Sequence, residues 1–349
     1  MLQPRKDLLM SAIKKNNIKG VINLGLRYLE TSKEIGKVHY SPPTIQIEIT
    51  TLCNLKCTMC NHTYMQETGG NMNLENFKKF IDTNSHLQKI NITGIGEALM
   101  NRDFYDMVHY AKQKGIYVWF TDNMTLMNEK NAKKMLDSKI DLICVSLDGA
   151  TKKTFENIRV GANFENLLEN IKRVLKMRSG KKPIVGINMV VMKENYEEIE
   201  KMVRLVHELN LDFLTFMTGY FGSKETQPLS LDGIKKEDID KAIADGVKTA
   251  KELGVKVISW PKTEKSEKTG CSMPWTNPYI TYGGDVLPCC FIPQELEGRK
   301  RDENIMGNIY KDDFKTIWKS EKFTTFRKRM KNGEPPLSCK ICPNFYGLS

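Results

Sequence analysis

The spacing of apolar residues divides the chain into three stretches. In residues 1–40, Leu8, Leu9, Ile13, Ile18, Val21 and Leu24 recur at helical intervals, and Ser41-Pro42-Pro43 closes the run, which predicts a helical extension. From Thr44 onward, short β-branched or apolar runs alternate with amphipathic ones. Strands are predicted at 44–50, 89–93, 117–120, 142–146, 184–191 and 213–217, with helices near 74–84, 102–114, 128–137, 164–177, 195–208 and 235–253. Strands and helices alternating in this way build a parallel α/β sheet, either open or curved into a full or partial barrel. In each case ligands gather at the carboxyl ends of the strands.

The rhythm changes after a short predicted strand at 255–259. Tyr279–Tyr282 and Val286–Leu287 flank Gly283-Gly284 and read as a β-hairpin, followed by a helix near 312–330. The expected organisation is an N-terminal helical extension (1–40), an α/β core (41–235), a connecting helix and strand (236–262) and a small cysteine-rich domain (263–349). A unit so poor in core and so rich in cysteine generally needs a metal to hold it.

Composition narrows the class. The 349 residues are 40% hydrophobic and 27% charged, and no run of 18 apolar residues predicts a membrane helix. The amino terminus lacks the apolar region and cleavage site of a secretory signal, so a cytoplasmic location is expected. The net charge of +11 comes mainly from lysines scattered over the predicted helices, which suits a solvated surface. Basic clusters at Arg299-Lys300-Arg301 and Arg327-Lys328-Arg329 lack interleaved aromatics, so nucleic-acid binding has no support.

Cysteine usage says more than charge. Nine cysteines, an odd number without a secretion signal, argue against a disulfide framework. All but Cys144 fall in two groups near the ends of the chain, which points to metal or iron–sulfur ligation. Cys144, inside a predicted strand, reads as a small buried hydrophobe.

The first group follows the first strand as Cys53, Cys57 and Cys60, a C-x3-C-x2-C spacing on a loop. Three thiolates this close can wrap one face of a compact metal centre. Zinc would want a fourth ligand, for which His62 is the nearest candidate. A three-cysteine iron–sulfur cubane instead leaves one iron open for reaction.

This loop, placed after the first of six strand–helix units, resembles the radical S-adenosylmethionine superfamily. The resemblance implies a partial (β/α)6 parallel barrel in which Cys53, Cys57 and Cys60 hold a [4Fe–4S] cluster. It implies further that the open iron binds S-adenosylmethionine, and that one-electron reduction of its sulfonium yields a 5′-deoxyadenosyl radical. Thr93-Gly94-Ile95-Gly96-Glu97 resembles the family's glycine–glutamate motif, with Ala98 where a proline is usual. Glycines admit close backbone approach, and the Glu97 carboxylate would accept from the methionine ammonium. Val145-Ser146-Leu147-Asp148-Gly149-Ala150 and the run from Asn157 to Phe164 resemble two further family blocks. Ser146 and Arg159 are the expected partners of the methionine carboxylate, with Asn123 and Asn188 as further cofactor contacts.

The second group comprises Cys271, the Cys289-Cys290 pair, and Cys339 with Cys342. By spacing alone it suits either zinc or a closed iron–sulfur cluster. With Trp275, Gly307–Ile309 and Ile317-Trp318 it resembles the SPASM/twitch extension of radical enzymes. The short, twitch-type form implies one auxiliary [4Fe–4S] cluster on Cys271, Cys289, Cys339 and Cys342, with Cys290 the alternative to Cys289.

In such relatives the auxiliary cluster takes an electron from a substrate radical. Dehydrogenation of a small hydroxylated molecule is therefore the first expectation, and modification of a peptide side chain the second. Redox-neutral epimerase, decarboxylase or lyase chemistry would use the same radical. An electron donor such as flavodoxin or ferredoxin is the implied partner. The alternative of another class is a zinc-stabilised basic binding protein. Trp275, Tyr220, Phe221 and Arg299 are candidate pocket residues, although each also suits a core or surface role.

Overall fold

A computed structural model describes residues 18–33, 35–65, 69–262, 270–292, 302–340 and 342–346. Leu8, Leu9 and Ile13 of the expected extension, and the basic run 299–301, lie outside the described residues. Within the extension, α1 spans Ile18–Ser32.

The core strands are β1 (Thr44–Ile47), β3 (Lys89–Ile92), β4 (Tyr117–Asp122), β5 (Leu142–Ser146), β7 (Ile184–Val191), β8 (Phe213–Thr218) and β9 (Val257–Ser259). Their order in the sheet is β1-β3-β4-β5-β7-β8-β9, every neighbouring pair parallel. Between them run α2 (Leu74–Thr83), α3 (Phe104–Gln113), α4 (Glu129–Asp137), α5 (Lys152–Ile158), α6 (Phe164–Met177), α7 (Ile199–Glu208) and α8 (Lys236–Leu253). All residues of β5 are buried, as a central strand covered on both faces requires. Helix α6 turns Leu167, Ile171 and Val174 inward, one helical stripe against that sheet. Asn73, Asn128, Thr151 and Asn163 cap α2, α4, α5 and α6, each side chain accepting an N–H three residues on. Such caps contribute about 1 kcal/mol each.

The carboxyl-terminal segment adds β10 (Tyr279–Ile280), β11 (Asp285–Leu287) and β12 (Gly307–Asn308), then α9 (Met273–Thr276), α10 (Phe314–Trp318), α11 (Glu321–Lys331) and α12 (Leu337–Lys340). The β10–β11 hairpin forms as expected, with Gly284 at φ 84° in its turn. β10 also pairs parallel to β1, so one sheet runs across the expected boundary at 262/263. The helix expected near 312–330 is two helices. Ser320 breaks the run by accepting from the Phe323 N–H at the start of α11.

Aromatic side chains lock the ends of the chain together. Trp318 Nε1 donates to the Tyr40 carbonyl at 3.1 Å, Trp275 Nε1 to the Ile35 carbonyl at 2.8 Å, and the Tyr40 hydroxyl to the Trp275 carbonyl. Trp275 is therefore core, 1% exposed, while one edge of it also borders a cavity beside Cys271 and Phe345. Arg327, one of the basic run Arg327-Lys328-Arg329, is fully buried. Helical geometry turns it, with Phe323 and Met330, toward the core.

Candidate active site

The cysteine loop leaves β1 at the carboxyl end of the sheet. A two-residue ladder then stitches it to the chain beyond α5: β2 (Lys56–Cys57) pairs antiparallel with β6 (Arg159–Val160), setting Cys57 opposite Arg159. Neither short strand was predicted, since two residues carry no periodicity. Gly96 lies against the loop's backbone. A Cβ there would come within 2.5 Å of the Thr50 carbonyl oxygen and 2.6 Å of that of Leu52. The Glu97 N–H donates to the Leu52 carbonyl at 2.7 Å, and Asn123 Nδ2 donates to Asn54 Oδ1 at 3.0 Å. The glycine–glutamate motif, the end of β4 and the cysteine loop thus form one bonded unit. Gly94 packs equally closely on Glu48, whose Cγ a Cβ would meet at 2.4 Å.

Arg159 is held from the side opposite the loop. Its Nε and Nη2 fork onto Asp148 Oδ2 at 2.7 and 2.6 Å, and its Nη1 stands 3.8 Å from Cys57 Sγ. Asp148 is fully buried, and its other oxygen accepts the Val190 N–H at 2.7 Å. Ser146 and Asn188 face each other in the β5–β7 ladder near the same ends. Burial raises the pKa of Cys53, Cys57 and Cys60, the last to about 11, while Arg159 pulls that of Cys57 back. Left alone the three thiols would stay protonated; a bound metal centre would reverse that preference.

Glu97 and Asp122 meet carboxyl to carboxyl beside this loop. Glu97 accepts the Asn123 N–H at 3.0 Å, and Asp122 accepts the Met124 N–H at 2.5 Å, but Asp122 Oδ2 meets no donor among the described residues. Burial, and then the facing charge, raises the pKa of Glu97, and burial raises that of Asp122. Two such carboxyls do not both ionise readily.

His62, the possible zinc ligand, is 3% exposed and sets Nε2 2.8 Å from the Thr51 carbonyl oxygen. No three His, Cys, Asp or Glu among the described residues form a site for a single metal ion.

In the carboxyl-terminal segment, Cys271, Cys289, Cys339 and Cys342 line one apolar cavity with Met273, Pro274, Phe291, Ile292, Phe326, Met330 and Phe345. Cys290 is absent from that lining, although the charges of Cys289, Cys342 and Cys271 reach its thiol. A soft, four-thiol, water-poor chamber fits an iron–sulfur cluster by donor chemistry. Phe291 reaches from this wall to Tyr220, ring centroids 5.6 Å apart, at the loop after β8. Cys144 is 4% exposed inside β5, the small buried hydrophobe expected.

Sequence reasoning missed Glu48 and Asp122. Glu48 is 1% exposed, and its Oε2 accepts from the Tyr279 hydroxyl at 2.7 Å and the Ile95 N–H at 2.9 Å, tying β10 to the glycine motif. The available signal was a lone carboxylate at the end of an apolar strand.

Comparison with known proteins agrees with this arrangement. Residues 47–206 match the model of the Radical SAM superfamily, and residues 271–343 match SPASM, an iron–sulfur cluster-binding domain. The chain is 28% identical over 321 residues to the tungsten-containing aldehyde ferredoxin oxidoreductase cofactor-modifying protein of Pyrococcus furiosus, covering 85% of this chain and 86% of that one. It is 27% identical over 325 residues to the AdoMet-dependent heme synthase of Methanosarcina barkeri, covering 86% and 88%. The fold is shared with Streptococcus suis SuiB bound to S-adenosylmethionine, at TM-score 0.69 and 16% identity, over 98% of this chain and 82% of that one. The chain belongs to the radical S-adenosylmethionine superfamily, as an enzyme with a SPASM-type iron–sulfur domain at its carboxyl end.

Proposed function

We propose that the protein oxidises a small hydroxylated molecule by removing two hydrogens. In this reading Cys53, Cys57 and Cys60 hold the cluster that binds S-adenosylmethionine. Gly94, Gly96, Glu97, Asn123, Ser146, Arg159 and Asn188 shape the cofactor's seat. Cys271, Cys289, Cys339 and Cys342 hold a single auxiliary [4Fe–4S] cluster. When bound, the cluster and cofactor supply a 5′-deoxyadenosyl radical. The substrate yields a hydrogen atom to that radical, then a proton to a base and an electron to the auxiliary centre.

The observation that carries the reading is the four-cysteine cavity, whose Phe291 packs on Tyr220 at the sheet's carboxyl end. In this reading that contact links the wall of the electron acceptor's chamber to the carboxyl end of the sheet, where a substrate radical would form. The names of the Pyrococcus and Methanosarcina relatives, both concerned with cofactors, support a small-molecule substrate. Peptide modification remains the second reading, supported by the likeness to SuiB bound to its precursor peptide.

The test uses Cys339→Ser in the reconstituted enzyme, assayed against candidate small molecules and peptides. The expected result is retained S-adenosylmethionine cleavage with loss of the product two hydrogens lighter than its substrate. A variant that still forms the oxidised product at the wild-type rate would remove the auxiliary centre from the reaction.

A further inference from the structure

Arg327, on α11, is 0% exposed. Its guanidinium lies 4.1 Å from the ring centroids of both Trp318 and Phe323. Nε donates to the Pro274 carbonyl at 2.9 Å and Nη1 to the Trp318 carbonyl at 3.0 Å, while Nη2 has no partner among the described residues. No described carboxylate forms an ion pair with it. Glu30 is the carboxylate whose charge bears on it, and His39 occupies Glu30: Oε2 accepts the His39 backbone N–H and Oε1 meets Nδ1, each at 2.8 Å.

Burying a cation without a counter-charge is strongly unfavourable, and here burial presses the guanidinium's pKa down to about 9. Aromatic faces and two carbonyls offset part of that cost. A full negative charge would offset far more. Phe326 and Met330 on the same helix, and the Pro274 that accepts from Nε, all line the chamber of Cys271, Cys289, Cys339 and Cys342. The guanidinium is thus hydrogen-bonded to the wall of the four-thiol cavity. An iron–sulfur cluster on four thiolates is anionic, and one-electron reduction makes it more so.

We propose that Arg327 is the counter-charge of the auxiliary cluster and raises its reduction potential, readying it to accept an electron from substrate. The proposal rests on the reading that these four cysteines hold a cluster. Arg327 is a positioning residue in this scheme, acting through the cluster's field and touching no substrate. A unit charge at the wall of such a chamber shifts the reduced-to-oxidised ratio at fixed potential by roughly ten-fold, and ten-fold is about 59 mV for one electron.

The test is an anaerobic redox titration followed by electron paramagnetic resonance on the reconstituted full chain, as wild type, Arg327→Gln and Arg327→Lys. Iron is counted first in each. The expected result is a lower auxiliary potential in Arg327→Gln by about that amount, a near wild-type value in Arg327→Lys, and no change at the cluster of Cys53, Cys57 and Cys60. Loss of the auxiliary irons from Arg327→Gln alone would equally support a required charge. Equal shifts or equal iron loss in both variants would assign the effect to packing and overturn the proposal. So would a loaded Arg327→Gln with the wild-type potential. A wild-type protein without a second cluster would instead sink the reading of the four cysteines, and the proposal with it.

Discussion

Arg159 stands directly opposite Cys57 in the β2–β6 ladder, with its Nη1 3.8 Å from the Cys57 sulfur. Asp148 fixes that geometry through two bonds to the same guanidinium. Breaking a buried pair by removing one charge typically costs about 3–5 kcal/mol. Asp148→Asn should therefore lower the thermal midpoint and weaken S-adenosylmethionine binding together, measured by calorimetry on the reconstituted protein. Unchanged stability would show that the fork is not what holds Arg159.

Gly96 has no room for a side chain. A methyl group there would press on the Thr50 and Leu52 carbonyls of the cysteine loop, and backbone at that distance must move. Gly96→Ala should cost on the order of 1–3 kcal/mol and reduce both S-adenosylmethionine affinity and iron retention at the first site. The auxiliary site should keep its iron. Mössbauer or resonance spectra would separate the two losses.

His86 gives the fold an acid-sensitive point. Burial, aided by Lys315, lowers its pKa from 6.5 to about 4, and neither ring nitrogen has a hydrogen-bond partner among the described residues. Between those values the unfolded chain binds the proton more tightly, so acid favours unfolding. The contribution is intact above pH 6.5 and declines by about 1.4 kcal/mol per pH unit toward pH 4. Denaturant midpoints at pH 7 and pH 5 should differ less in His86→Phe than in wild type. An identical pH dependence would contradict the assignment.

Much of this was legible in the sequence, for identifiable reasons. Long periodic segments gave β5, β7 and α6 at their observed bounds, because buried stripes leave a regular trace. Clustered cysteines marked both candidate metal sites, and Cys289 rather than Cys290 lines the four-cysteine cavity. What was not legible depends on contacts across the chain. The union of β10 with β1 joins residues more than 230 positions apart, and nothing local encodes it. The Glu97–Asp122 pair joins the ends of two neighbouring strand segments, which local periodicity does not encode either. The burial of Arg327 was not legible either, because a run of three basic residues does not say which one faces inward.

The central claim, a radical enzyme with two iron–sulfur clusters, meets its most direct test in one anaerobic experiment. Reconstituted protein is analysed for iron and sulfide, then given dithionite and S-adenosylmethionine and assayed for 5′-deoxyadenosine. Two [4Fe–4S] clusters predict about eight irons per chain, together with slow cleavage in the absence of substrate. Zinc in place of iron, with no 5′-deoxyadenosine formed, would contradict the account.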